Sequence, residues 1–479
     1  MLWLALYLPN LPLQVFQRAA PDTQALAVAE SRAGARRIVA ANGAAQRCGV
    51  HAGLGVASAL ALVPELAVRP RNPRAESEAL QEIAAWALQF TPGVSLDAPA
   101  CVLLEIAASL RLFGGMEALL QRIGQGSREL GYTVETAAAP TPRAARWLAR
   151  AGHPVLIRDP ESLPSALAPL PLDMLDAEPA TVEMLFSVGA VTVADCLQLP
   201  RAGLARRGAA TLTQSLDQAL GRQPDPRAWF VAPDAYAARI PFPASTEHAE
   251  ALLFGARRLF AGLAAYLAAH HAGIERFRLH LEHEEGGPTP LTITLGGTSR
   301  DEARFNLLTR EHLARLTLPC PVEALSLVAT EIRPLPGTSG TLFGNDHQTA
   351  EAQQLLVERL RARLGFEAIG GLRPVADHRP ERAWRAAEPG DRKPLPLPAQ
   401  ARPLWLLPHP QRLEMRNAQP CWHCPLELLS GPERIESGWW DDAEALRDYF
   451  VAKASDSALV WVFRELTPPY DWYAQGIFA

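Results

Sequence analysis

Trp3-Leu4-Ala5-Leu6-Tyr7-Leu8-Pro9-Asn10-Leu11-Pro12 lies near the amino terminus of the chain. Its apolar run ends at a proline, which fixes its own φ and withholds a backbone N–H. No polar residue alternates within the run, so Trp3–Leu8 reads as a strand buried on both faces. No basic stretch precedes it and no small-residue cleavage site follows, so a signal peptide is not expected.

Working outward, similar short runs occur at Ala25–Ala29, Arg37–Ala41, Val102–Ala107 and Thr133–Ala138. Helical periodicity occupies Ala75–Phe90, Met116–Leu130 and Pro142–Ala151, the last opening on a proline, which a helix start tolerates. Strands interleaved with helices predict an α/β or α+β layer. Residues 165–237 change to short helices. The string Gly189-Ala190-Val191-Thr192-Val193-Ala194-Asp195 there opens another helix with Thr192 as N-cap. Residues 238–335 read as helix (Ala249–His270), strand (Phe277–Glu282), strand (Leu291–Leu295), helix (Asp301–Leu316) and strand (Ala324–Ile332). That order implies a small sheet with helices on one face. Pro334–Gly344 is a Pro/Gly-rich linker, Gln348–Leu364 a helix, and 371–403 an extended Pro- and Arg-rich stretch. Residues 404–479 hold six of the eleven tryptophans and read as a small β-rich unit.

At 479 residues the chain exceeds one hydrophobic core, and roughly 100–200 residues per domain gives about three to five domains. With 48% hydrophobic and 20% charged residues it is globular, and no long uncharged apolar stretch predicts a membrane span. Six cysteines, four of them widely scattered (Cys48, Cys101, Cys196, Cys320), do not read as a disulfide framework and fit a reducing cytoplasm. The net charge of −5 argues against a strong autonomous nucleic-acid binder. Residues 240–335 hold nine arginines, no lysine and eleven acidic residues, so DNA binding there should be weak and salt-sensitive.

The order of units and several strings over residues 1–340 resemble the Y-family (translesion) DNA polymerases. Val39-Ala40-Ala41-Asn42-Gly43-Ala44-Ala45-Gln46-Arg47-Cys48-Gly49-Val50 is similar to the family's finger segment. Ser95-Leu96-Asp97 is similar to the start of its second carboxylate motif, and Leu112-Phe113-Gly114-Gly115 and Ala138-Ala139-Pro140-Thr141 to strings of its palm. The resemblance implies a multidomain α/β and α+β fold: palm and fingers (1–164), helical thumb (165–237), little finger (238–335), linker with a clamp peptide and a helix (336–403), and a Trp-rich β-containing extension (404–479).

The departures bear on activity. Such polymerases hold two metal ions with three carboxylates. Tyr7 and Pro9 stand at the family's first-strand metal positions, and neither can ligate a hard divalent cation as a carboxylate does. Leu11 and Pro12 replace the aromatic residues that police the sugar. Asp97 is retained but Ala98 takes the place of its glutamate. Gly43 and Gln46 stand where a Tyr and an Arg would grip the triphosphate, and Pro142 where a lysine is expected. One lone Asp97, read as a surface or turn carboxylate, cannot assemble a two-metal site. No metal and no cofactor is therefore expected. The alternative is an active polymerase with relocated carboxylates, recruiting Glu105 beside Asp97.

This pattern resembles one subfamily, the ImuB-like proteins, catalytically silent relatives of these polymerases. His378-Arg379-Pro380-Glu381-Arg382-Ala383-Trp384, Arg402-Pro403-Leu404-Trp405-Leu406-Leu407 and Gly431-Pro432-Glu433-Arg434-Ile435-Glu436-Ser437-Gly438-Trp439-Trp440 carry the likeness through the tail. It implies a cytoplasmic scaffold, nucleoid-associated in an SOS-type damage response. Its partners would be the sliding clamp, an error-prone C-family polymerase, a RecA-like accessory protein of the ImuA type and, weakly, primer-template DNA.

Individual motifs keep two readings each. Ser339-Gly340-Thr341-Leu342-Phe343-Gly344 offers an aliphatic–aromatic pair to a clamp, or packs on its own domain. Arg402, Leu404, Trp405, Leu406, Trp439 and Trp440 are interface anchors, Arg402–Leu407 alternatively being a strand of the terminal core. Gly189 and Val191 offer backbone N–H groups to phosphate, or form a plain helix–helix turn. Arg257, Arg276 and Arg278 are the candidate DNA contacts of the little finger. Cys421-Trp422-His423-Cys424 lacks the second ligand pair of a structural zinc site.

Overall fold

The computed structural model describes residues 1–19, 24–32, 34–207, 209–335, 346–391, 402–441 and 443–478. They form two compact units, Met1–Arg363 and Leu364–Ala479.

The first unit is built on an antiparallel sheet ordered Val94–Asp97, Cys101–Glu105, Trp3–Tyr7, Glu135–Ala139. Both faces of the Trp3–Tyr7 strand are covered, which is why its sequence is continuously apolar. Leu4 and Leu6 pack with Ile83, Trp86 and Ile123 from helices Pro73–Ala87 and Met116–Leu130. Trp3 and Ala5 face Trp147 and Leu148 of helix Pro142–Arg150, and beyond them Leu167 and Leu185 of the helical segment. Helix starts are fixed locally: Asn72 and Thr141 accept from the N–H of Ala75 and Ala144, and Pro73 and Pro142 preset the first turns. A second sheet, ordered Ala35–Ala41, Leu26–Arg32, Ala67–Pro70, carries the finger helices Gly43–Arg47 and Val56–Leu62. The Ala67–Pro70 strand and helix Leu11–Gln17 carry too little periodicity to be read from sequence.

Residues 236–334 form a β-α-β-β-α-β unit whose sheet is ordered Thr289–Ser299, Ala272–His283, Val322–Ala329, Tyr236–Thr246, with Ile332–Pro334 added beside Ala272–Ile274. Its helices Ala249–Ala269 and Glu302–Leu313 pack on one face around Phe260, Phe277 and Phe305, as the pattern predicts. The leading strand escapes sequence reading because Pro241 and Pro243 argue against a strand. An edge position accommodates them. Ala249–Ala269 is long and apolar enough to cross a membrane by length and composition. Here its apolar residues pack against its own sheet and, through Ala265, into the palm core. Helix Asp346–Leu364, read above as part of a linker, docks on this unit. Glu358 binds Arg304 and the N–H of Gly296, and Arg315 donates to Ala362 O at 3.2 Å.

The second unit is an antiparallel sheet ordered Trp405–Arg412, Trp472–Ile477, Leu459–Glu465, Ala445–Lys453, Glu427–Ser437, with a three-stranded sheet over residues 414–425. Tyr449, Trp461, Phe463 and Ile435 fill one core cluster; Leu413, Leu426, Val460 and Val462 fill another. Gly371–Pro374 pairs with Trp384–Ala387 in the stretch expected to be extended.

Candidate functional site

The hairpin Val94–Asp97/Cys101–Glu105 places Asp97 opposite Cys101, and Cys101 lies opposite Tyr7 on the neighbouring strand. Tyr7 and Asp97 therefore share one end of the sheet. Helix Pro142–Arg150 crosses this face and carries Arg143, Arg146 and Arg150 at spacings of one turn. Arg146 Nη1 lies 2.9 Å from Asp97 Oδ1, and Arg227 Nη1 lies 3.2 Å from the same oxygen. Asp176 accepts from Arg146 Nη2 at 2.8 Å, Arg150 Nη1 at 3.3 Å and Trp147 Nε1 at 3.3 Å. Asp225 pairs with Arg227 at 2.5 Å and Arg143 at 3.6 Å. Four guanidinium groups thus meet three carboxylates where the family resemblance puts a metal pair.

The reading of Asp97 as a surface carboxylate is corrected: it is 9% exposed and paired twice. Asp97 Oδ2, Arg143 Nε and Arg227 Nε are buried without a hydrogen-bond partner. Burial, with Asp97 beside it, pushes the Cys101 thiol well up, so this cysteine stays protonated. Glu105 does not join Asp97. It lies at the opposite end of its strand, about 13 Å away at roughly 3.3 Å per residue, and accepts from the Leu2 and Ala107 N–H groups. Among the described residues no three Asp, Glu, His or Cys side chains converge as a metal-binding set. Tyr7 is half-buried against the thumb-side core, while Pro9 and Ala98 are exposed. Leu11 is fully buried in the palm core.

In the fingers, Asn42 caps the Gly43–Arg47 helix through Ala45 N–H. Gln46 turns its amide onto Ala41 O at 2.7 Å. Both Gly43 and Gln46 border a polar cleft of about 390 Å³.

At the helical turn, Gly189 N–H donates to Phe186 O and Val191 N–H to Asp195 Oδ2. Thr192 and Asp195 complete a capping box, so both candidate phosphate donors are committed within the segment. Arg276 and Arg278 are exposed on the sheet face away from the helices, Arg276 lying 3.9 Å from Glu331. Arg257 is exposed on the Ala249–Ala269 helix, so the three arginines do not converge.

Ser339–Gly344, the clamp-peptide candidate, lies outside the described residues. In the second unit, Trp405–Arg412 is a strand paired with Trp472–Ile477, as one reading of that string had it. Leu404 and Trp405 are nevertheless exposed, while Leu406 packs with the Tyr449 cluster. Arg402 pairs with Glu433 and lies 4.8 Å over the Trp461 ring. Trp439 and Trp440 are exposed and meet edge to face at 5.4 Å. Arg379, itself buried, holds the turn that presents them. It binds both Asp441 oxygens at 2.8 and 2.9 Å and Ala443 O at 2.8 Å. Cys421 and Cys424 flank a tight hairpin with His423 at φ 60°, and both thiols are free. The sequence reading missed Arg143, Arg146, Arg150, Asp176, Asp225 and Arg227. The one-turn Arg spacing on Pro142–Arg150 is the signal that was there.

Residues 6–150 match the model of the impB/mucB/samB family. A crystal structure of DinB from Sulfolobus solfataricus aligns with 70% of this chain and 100% of its own, at TM-score 0.40 and 16% identity. DNA polymerase IV of Serratia proteamaculans is 30% identical over 177 residues, 36% of this chain and 49% of that protein. The particular likeness is to Protein ImuB of Caulobacter vibrioides: 28% identity over 456 residues, covering 90% of this chain and 100% of that protein. The chain thus resembles ImuB along nearly its whole length.

Proposed function

We propose that this protein is a non-catalytic adaptor of error-prone translesion synthesis. It would link the sliding clamp, an error-prone C-family polymerase and a RecA-like accessory protein at damaged DNA. The observation that carries this reading is the state of Asp97. Its charge is matched by Arg146 and Arg227, and the neighbouring first-strand positions are Tyr7 and Pro9. A guanidinium donates hydrogen bonds to a carboxylate, but it offers no open coordination position at which a 3′-hydroxyl is activated as on a metal ion. The side chains that remain can neutralise charge here; they do not supply a set of metal ligands. The exposed Leu404, Trp405, Trp439 and Trp440 supply anchors of the kind protein partners use. The alternative, an active polymerase that recruits Glu105 beside Asp97, would have to bring Glu105 from the far end of its strand.

The test is complementation of damage-induced mutagenesis in cells lacking the protein. Asp97→Asn should restore it to the wild-type level, and the pair Leu342→Ala/Phe343→Ala should not. A folded Asp97→Asn protein that behaves like the deletion would overturn the non-catalytic reading.

A further inference from the structure

Backbone N–H and C=O groups on the outer side of an edge strand have no partner within their sheet, and proteins ordinarily block such edges. Most sheet edges of this chain are blocked. Strand Tyr236–Thr246 carries Pro241 and Pro243, Trp405–Arg412 carries Pro408 and Pro410, and Glu427–Ser437 carries Pro432 where its register shifts. One palm edge accepts the Phe230 N–H on Val94 O at 2.7 Å, and the other is bonded at Ala138 by Val155 and Ile157. Finger strand Ala35–Ala41 is bonded at Ile38 by Gly53 and Leu54.

Thr289–Ser299 is different. It forms an edge of the β-α-β-β-α-β sheet. Helix Asp346–Leu364 closes one end of it: Gly296 N–H donates to Glu358, and a Cβ on Gly297 would collide with Gln354. Beyond Pro290, the stretch Leu291-Thr292-Ile293-Thr294-Leu295 has no charge and no proline, and its β-branched residues favour a strand. Pairing with Arg276–Leu281 is regular from Thr289 to Thr294. Among the described residues, no backbone hydrogen bond reaches the outer side of this stretch.

The flanking side chains select what fits there. Leu291, Ile293 and Leu295 are buried on the helix side, whereas Thr292 and Thr294 are exposed on the open face. Arg278 and Arg276, also exposed, lie directly across from these threonines. Arg276 has Glu331 at 3.9 Å, and among the described residues Arg278 has no ion pair. A strand added beside Leu291–Leu295 would turn alternate side chains to the two faces. Those on the open face would lie two strands from the arginines, roughly 10 Å backbone to backbone, with only threonines between. Carboxylates at these positions complement the guanidinium charge, and β-branched residues at the others extend the apolar side.

We propose that Leu291–Leu295 is a docking edge for an extended segment of a protein partner in which acidic residues alternate with β-branched ones. Main-chain hydrogen bonds supply the affinity and the alternating side chains the specificity. Full-length protein is titrated by fluorescence anisotropy with three labelled probes: a decapeptide alternating Glu with Val, the same peptide with Lys for Glu, and a single-stranded DNA oligonucleotide. The acidic peptide should bind, and the basic one about tenfold more weakly or not at all. Arg278→Glu should weaken the acidic peptide by about tenfold. Thr294→Pro, which removes an N–H and sets a ring on the edge, should abolish binding. Should Thr294→Pro melt well below the wild type, Thr292→Asp, an exposed change that puts a like charge on the edge, serves as the second variant and should also weaken binding. In infrared spectra, bound acidic peptide isotope-labelled at its carbonyls should give the amide band of a β-strand. No binding of the acidic peptide overturns the proposal, as does equal affinity in the folded variants. DNA binding alone, unchanged in Thr294→Pro, would give Arg276 and Arg278 to nucleic acid. A dimer of the protein alone that Thr294→Pro dissociates would make a second copy the occupant. Either result overturns the assignment. Failure here leaves the adaptor reading untouched, because the argument draws nothing from Asp97.

Discussion

A carboxylate taken out of water carries a desolvation cost that only nearby cations or donors offset. At Asp97 that role falls to Arg146 and Arg227. Removing Asp97 or Arg146 leaves the remaining charges only partly matched in a half-dry site. Asp97→Ala and Arg146→Ala should each lower unfolding free energy by about 1–3 kcal/mol in denaturant titrations. A change below a few tenths would show that solvent already screens the pair. Sequence marked Asp97 as the residue to examine but misread its surroundings, because its partners arrive from a helix and a loop distant in sequence. A residue type can be read from the chain; its counter-charge is fixed by tertiary contact. Asp441 is a second such case. Hydrogen bonds from Arg379 hold its carboxyl down to about 2. A depressed carboxyl contributes stability above its ordinary value near 4, which is lost as pH falls through the depressed one. The Trp439–Trp440 turn should therefore loosen between about pH 4 and 2, seen as a change in tryptophan fluorescence. Arg379→Gln should abolish that transition.

Helices with strong periodicity were legible almost to the residue: Met116–Leu130 was expected and observed with the same bounds. The strands of the β-α-β-β-α-β unit were legible where apolar and polar residues alternate, as in Phe277–Glu282. Illegible elements were those whose local chemistry opposes their conformation, such as the proline-bearing edge strand Tyr236–Thr246. Helix Asp346–Leu364 was read correctly as a helix, but its docking depends on Glu358 meeting Arg304, which no local pattern encodes. Glu358→Ala should leave the fold intact and speed amide hydrogen exchange across that helix. Unchanged protection would place the docking energy elsewhere. Gly131→Ala adds a Cβ at φ +86° against Arg258 and Arg18. It should destabilise by about 1–3 kcal/mol, measured as a lower Tm.

For the whole molecule, the two units divide the work the proposal requires. Met1–Arg363 carries the polymerase-like body with its arginine-matched Asp97. Leu364–Ala479 presents exposed tryptophans on a sheet and a turn. Mutating Trp439 and Trp440 to Ala should leave the Tm within a degree or two, because both side chains are exposed, while weakening capture of a protein partner. Whether Asp97 still serves nucleotidyl transfer is tested by primer extension on undamaged template, with purified protein, Mg²⁺ or Mn²⁺, all four nucleotides and an intact polymerase as control. No nucleotides should be added. Robust extension that Asp97→Ala abolishes would contradict the non-catalytic reading and make the protein an enzyme.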